Sequence, residues 1–239
     1  MPQTQKAQVE YKSFIGIPVS RWVFRGGAES RAAGSLGFVD PMLRRRLSPL
    51  AKMTLSAAYE CSKDVPGVRF VYASRHGELA RTTVMLENLA EKEPLSPTSF
   101  SLSVLNASAG LFSMIFRNTA PTTAISACKS SFGYGLLEAF LQFSENPGQP
   151  VLYVFSDEPL PAIYGEEGVK ENASHAIGLL LRDPPVARIR CSISRSTRAA
   201  VPELQSLAFL KCLERGRSDW SDGEKMWLWE RVSETNVSA

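Results

Sequence analysis

An α/β fold with a mixed sheet is what this sequence predicts, and three observations carry that reading. Runs rich in β-branched and aromatic residues at Val68–Ser74, Thr122–Ala127 and Pro150–Ser156 alternate with segments of helical spacing, the pattern of α/β layering. Two later runs, His175–Leu181 and Ala187–Ser194, are joined only by the short proline-rich Arg182–Pro185, which favours antiparallel neighbours over a helical crossover and makes the sheet mixed. The 239 residues are 44% hydrophobic, enough to bury a sizeable core. One domain over residues 1–239 is expected, with 195–239 as a C-terminal extension whose structure the pattern leaves open.

The elements follow in chain order. Tyr11 to Asp40 mixes aromatics with the breakers Gly26, Gly27 and Gly34, which predicts short strands and an irregular loop. Ser48-Pro49 then offers an N-cap and a first-turn proline to a core-facing helix over Leu50–Cys61. Pro66-Gly67 turns the chain into the Val68–Ser74 strand, and a helix is expected from Glu78 to Glu91. Helices are further predicted over Ala107–Phe116 and Phe132–Phe143, and from Pro202 through Cys212. The tryptophan-rich end, Trp220 and Met226–Trp229, should pack back on the chain or against another subunit.

Bulk chemistry excludes several function classes. With 27 basic and 24 acidic residues the net charge is +3, giving no general electrostatic case for nucleic acid or a membrane surface. Arg44, Arg45 and Arg46 are the local exception: a solvated helix end, or a contact for an acidic carrier protein or its phosphopantetheine. The cysteines Cys61, Cys128, Cys191 and Cys212 form no C-x-x-C pair, which argues against a zinc site and a disulfide scaffold and makes a reducing cytoplasm the expectation. No window approaches the ~20 apolar residues of a membrane span, nor does the N-terminus read as a signal peptide.

The strongest chemical signal is Ser126–Ala139, which puts Cys128 between a β-prone run and a helix, where a thiol nucleophile would sit. The only histidines, His76 and His175, are too few and too poorly placed for the usual cysteine–histidine machinery, so the segment reads as a retired active site. The competing reading of Cys128 is a small buried hydrophobe. Lys129 is expected in solvent, Asn106 is a candidate helix N-cap, and His76 is a capping or interface residue.

Three stretches together resemble the N-terminal half of a β-ketoacyl synthase, a thiolase-like layered fold. Ser96–Gly110 is similar to the segment that crosses the ketosynthase dimer interface into an asparagine-started helix; Thr123–Ser131 to the strand and elbow that hold the acyl-accepting cysteine; Ser174–Arg182 to the strand closing the first thiolase-like repeat. With Arg44–Met53 the likeness spans most of residues 40–182. Full ketosynthases are about twice the length of such a domain, and their second half supplies two histidines and a lysine; His175 matches neither histidine.

The resemblance implies a chain-length-factor-like subunit that pairs, as heterodimer or heterotetramer, with a full-length β-ketoacyl-ACP synthase in aryl-polyene, polyketide or fatty-acid biosynthesis. Such a subunit is not an enzyme in itself and shapes the acyl tunnel of its partner. Tunnel or interface candidates are Phe100, Val104, Asn106, Ser108, Phe112, Met114, Phe116 and Cys128, among an apolar group that includes Leu105 and Leu111. No cofactor is expected beyond the phosphopantetheine arm of an acyl carrier protein. The pattern also admits an acyltransferase or thioesterase using Cys128, and a purely structural stabiliser of the ketosynthase.

Overall fold

The computed structural model describes residues 12–26, 36–164 and 174–232, which fall into two compact units, 18–186 and 1–17 with 187–239. The predicted N-terminal short strands are instead one long strand, β1 (Lys12–Gly26), shared between the two; residues 27–35 of that stretch lie outside the described residues.

In the larger unit, helix α1 (Pro41–Arg46) is capped by the Asp40 carboxylate, which accepts from the Met42 and Leu43 amides. Helix α2 (Pro49–Ser62) begins as the sequence predicts: Ser48 accepts from the Ala51 amide at 2.9 Å, and proline occupies the first turn. Strand β2 (Arg69–Ala73), helices α3 (Leu79–Ala90), α4 (Pro97–Ser101) and α5 (Ala107–Ile115), strand β3 (Thr122–Ile125), helix α6 (Ser131–Glu145) and strands β4 (Val151–Asp157) and β5 (His175–Leu181) complete it. Its strands lie in the order β3-β2-β4-β5-β1. β2 runs parallel to both β3 and β4, while β5 is antiparallel to β4 and to the Val19–Gly26 part of β1, so the sheet is mixed.

All seven residues of β4 are buried, because this strand is covered on both faces. Strand side chains alternate, so Leu152 and Val154 join Phe70, Tyr72 and the apolar residues of α2 and α5. Tyr153 and Phe155 meet Phe132 of α6 on the other face, with centroids 5.6 Å away in each case. Helix α6 approaches closely because Gly135 has no side chain: a Cβ there would lie 2.7 Å from the Ala73 Cβ.

One sequence expectation fails. β5 is not paired with the strand that follows it; its two partners are β4 and β1. The place beside β5 is taken by β1, with the Arg182 amide donating to Pro18 O at 3.2 Å and the Val186 amide to Val19 O at 2.8 Å. A short connection constrains distance but not the identity of the neighbour, and a strand far away in sequence fills the gap.

In the smaller unit, β6 (Ala187–Arg195), β8 (Lys225–Val232) and β7 (Arg217–Ser221) are antiparallel in that order. Residues 195–239, left open by the sequence, thus supply two strands and helix α7 (Gln205–Arg215), which ends on Gly216 at φ +89°. Trp227 and Trp229 are fully buried, and Phe209 of α7 meets Trp229 edge-on at 5.7 Å, so the tryptophan-rich end packs within the chain.

Candidate functional site

Parallel strands β3, β2 and β4 all end at the same edge of the sheet, and the turns that follow them carry the chain's reactive side chains. Cys128 comes three residues after β3. It opens a single 3-10 turn, Cys128–Ser130, that leads directly into α6, and it holds φ +51°, a left-handed conformation that costs a non-glycine residue about 1–2 kcal/mol. The hydroxyl of Ser131 fixes this turn by accepting the Ala127 amide at 2.8 Å and donating to Cys128 O at 2.7 Å. Cys128 is exposed, which overturns its reading as a buried hydrophobe; Lys129 is exposed as expected. Cys61, Cys191 and Cys212 are buried, and desolvation pushes each of these thiols up to about 12.

The turn after β2 touches the elbow, with Ser126 Oγ donating to Arg75 O at 3.1 Å. His76 follows, and its Nδ1 lies 3.2 Å from the buried Asp157 carboxylate at the end of β4. The other Asp157 oxygen accepts the His76 amide at 3.1 Å and the Ser74 hydroxyl at 3.2 Å. His76 is therefore not the cap of α3: Glu78 holds the N-cap position, and the imidazole faces the Asp157 carboxylate. Glu78 is also buried, bound to Ser48 at 2.7 Å and 3.5 Å from Arg81. Glu158, next in sequence to Asp157, is pushed up to about 7 by burial first and then by the charges of Glu78 and Asp157. Sequence reasoning missed this cluster; its one local signal is that His76 and Asp157-Glu158 each close a β-prone run. His175, the first residue of β5, is buried beside Phe155 and opposite Asp157.

The remaining candidates lie along α5, which follows β2 from one end to the other. Leu105, just before α5, comes within 3.3 Å of the Cβ position of Gly77, past the end of β2, whereas Asn118 beyond α5 donates to Val68 O at 2.8 Å, before its start. The helix separates its residues by face. Asn106, Gly110 and Met114 form an exposed stripe at four-residue spacing, with Phe100 (61% exposed) and Val104 (41%) close in sequence before it. Ser108, Leu111 and Phe112 are buried, and Phe112 stacks against Phe70 at 4.5 Å and Phe116 at 4.7 Å. Leu105 and Phe116 are half-buried. Asn106 occupies the N-cap position of α5, as the sequence places it, but its side chain makes no capping hydrogen bond.

Phe112 and Phe116, with Tyr59, Val65, Val68 and Asn118, border an open cleft of about 330 Å³. It lies at the opposite end of β2 from the elbow. Arg44, Arg45 and Arg46 form the last turn of α1, with Arg45 and Arg46 exposed. Among the described residues no group of three or more His, Cys, Asp or Glu is arranged to hold a metal, and no helix is long and apolar enough to cross a membrane.

Comparison with known proteins gives this geometry its context. The sequence pattern of the "Beta-ketoacyl synthase, N-terminal domain" family matches residues 21–230. Among solved structures, a chain of the complex of the ketosynthase ApeO with its chain length factor ApeC from Xenorhabdus doucetiae superposes with TM-score 0.70 at 26% identity. That match covers 94% of this chain and 98% of the other. The ishigamide ketosynthase/chain length factor shares the fold with TM-score 0.57 at 15% identity, covering 83% of this chain and 72% of its own. The ketosynthase from module 1 of the bacillaene synthase from Bacillus amyloliquefaciens FZB42 has TM-score 0.50 at 13% identity; 74% of this chain covers only 36% of that one. A search of curated protein sequences finds no match. The mixed sheet with its helices is the thiolase-like layering of these ketosynthase structures, and the chain belongs to the β-ketoacyl synthase N-terminal domain family.

Proposed function

We propose that this chain is a chain-length-factor-like subunit, without condensing activity of its own, that pairs with a full-length β-ketoacyl-ACP synthase and shapes its acyl tunnel. The observation that carries the reading is the unfinished surface beside the elbow. Among the described residues β3 pairs only with β2, so its outer edge offers unpaired backbone groups to another strand. Phe100, Val104 and Met114 are exposed, and α3 buries only Thr83 while presenting Val84, Leu86 and Leu89 to solvent. Apolar area of this extent favours association at about 25 cal/mol per Å² before association costs. The end-to-end match to a chain of a ketosynthase–chain length factor complex is further support.

The missing chemistry points the same way. Decarboxylative condensation requires groups that stabilise enolate charge beside the acylated thiol. Of the two imidazoles, His76 is turned to Asp157 and His175 is buried beside Phe155. The partner supplies the reacting cysteine and histidines; this chain supplies a wall. Its tunnel contribution is the outward stripe of α5, Met114 above all, while Phe112 holds the core. β2 is five residues long, so from elbow to far cleft is about 16 Å at roughly 3.3 Å per residue, a length suited to an extended acyl chain. Arg44–Arg46 would meet the acidic carrier protein that brings the phosphopantetheine-linked chain, and a cytoplasmic setting fits the free thiols.

The test is co-expression with a full-length ketosynthase encoded beside it, followed by mass-resolved size exclusion and product analysis. A stoichiometric complex whose products lengthen with Met114→Ala is the expected result. Unchanged product lengths with an intact complex reduce the subunit to a structural stabiliser. A second reading, acyl transfer through Cys128, draws on the exposure and strained backbone of that residue; labelling of the wild type, but not of Cys128→Ala, by a thioester probe in the absence of any partner would favour it.

A further inference from the structure

We propose that the cleft at the start of β2 is a small-molecule site, for a neutral ligand that presents a flat apolar ring and one N–H or O–H donor. The proposal does not rest on pairing with a ketosynthase, because every wall of the cleft belongs to the larger unit of this chain.

The cleft lies where two turns meet. The C-terminal end of α2 and the turn over residues 63–68 form one side, and the last residues of α5 with Asn118 form the other. Each turn holds a left-handed residue: Gly67 at φ +65°, which glycine adopts freely, and Arg117 at φ +49°, which an arginine adopts only under strain. The Arg117 conformation reverses the chain after α5 and seats Asn118, whose backbone amide donates to Ser113 O at 2.9 Å. The Asn118 side chain is fixed as well. Its Nδ2 donates to Val68 O at 2.8 Å, and a carbonyl only accepts, so the orientation of the amide is settled and Oδ1 is its free arm. Asn118 is 8% exposed, and Oδ1 is closed off from solvent with no hydrogen-bond partner among the described residues. A buried oxygen left without a donor carries a desolvation cost that nothing in the fold offsets. A donor seated in the cleft, with a small shift of its rim, removes that cost.

The other walls set the rest of the ligand. Phe116 lies 4.7 Å from Phe112 and 6.1 Å from Tyr59, with its ring only 18° off parallel to that of Tyr59. Such a wall takes a planar apolar partner, stacked or edge-on. The charged side chains lining the cleft are Lys63 and Asp64, and both are answered: Glu60 faces Lys63 at 3.1 Å, and Arg21 gives Asp64 two hydrogen bonds. No unpaired charge in the lining calls for an ionic ligand, so the ligand is neutral. At about 330 Å³ the space is at the small end of ligand cavities, which suits a single ring or two fused ones.

Indole and 1-methylindole test this on the full chain, because the methyl group removes the donor and keeps the ring. Saturation-transfer NMR detects binding, and calorimetric titration measures it. Indole should bind about tenfold more tightly than 1-methylindole, and benzoate should not compete. Asn118→Ala should bring the two indoles to equal affinity, and Phe116→Leu should weaken both; the second variant serves where the first does not fold. Absence of saturable indole binding at millimolar concentration overturns the proposal, as does equal affinity of the wild type for the two indoles. Competition by benzoate would overturn the assignment of a neutral ligand, and undiminished binding in Phe116→Leu would remove the site from this cleft.

Discussion

Phe112 and Met114 are two residues apart on one helix and do opposite work. Phe112 is 2% exposed and wedged between Phe70 and Phe116, so Phe112→Ala should cost about 3–5 kcal/mol in chemical denaturation. Met114 is 66% exposed, and its truncation should leave stability within about 0.5 kcal/mol. Product-length changes in Phe112→Ala would therefore report damage, whereas those in Met114→Ala would report the tunnel. Thiol chemistry separates as sharply. At pH 8 one equivalent of iodoacetamide should modify Cys128 alone, because Cys61, Cys191 and Cys212 are buried and hold their protons to about 12; peptide mapping reads the outcome.

Two carboxyls should leave opposite marks on stability against pH. Glu158 sits near 7 in the folded chain against an ordinary 4.5, so the fold binds its proton more tightly than the unfolded chain does. Its favourable contribution is complete below about 4.5 and is lost as pH rises through 7. Glu158→Gln should accordingly flatten the decline in urea midpoint between pH 5 and 8. Asp64 is held down at about 2 by its hydrogen bonds from Arg21, so its contribution is present above the ordinary 3.8 and fades as pH falls towards 2. Full exposure keeps that second effect small.

At the scale of elements, close approach and exposure are both encoded by what a helix lacks. Gly135 lets α6 lie against β2 and β4; Gly135→Val would drive a side chain into Ala73 and Tyr153, and a loss of about 1–3 kcal/mol or more is expected on thermal melting. Helices α3 and α4 lack a buried face instead. Phe100→Asp combined with Met114→Asp should leave the melting temperature of the isolated chain nearly unchanged while abolishing co-purification of the ketosynthase. Retention of the complex in that double variant would remove this face from the interface. The sequence pattern predicts helix α2 well because capping and spacing are local. Ser48, Pro49 and the apolar rhythm of α2 lie within a few residues of one another, and the observed helix starts where they place it.

For the molecule as a whole, partnership and fold are linked by the edge of the sheet. A lone chain whose β3 has an open outer edge and whose α3 is uncovered should associate or aggregate when expressed alone and become soluble with a ketosynthase. A monodisperse lone protein that ignores the ketosynthase would redirect attention to Cys128. The match of residues 21–230 to the family pattern, and the end-to-end likeness to a chain of the ApeO–ApeC complex, set the frame in which these outcomes are read.

Local chemistry was enough to predict the α/β alternation, the helix starts and the cysteine elbow, because periodicity, caps and turn residues act over a few positions. The likeness of three ordered stretches to a ketosynthase's first half was legible for the same reason. What only the tertiary structure decided depends on groups distant in the chain. Backbone hydrogen bonds from Arg182 and Val186 to Pro18 and Val19 seat β1 beside β5, where the short proline-rich connection had pointed to the next strand. The split of the α5 candidates into a buried face and an exposed stripe follows from which side meets Phe70. The pairing of His76 with Asp157 exists because the parallel strands β2 and β4 end together, bringing residues some 80 positions apart to 3.2 Å. Charge interactions across such separations leave no periodic trace in a sequence; they are made by the fold.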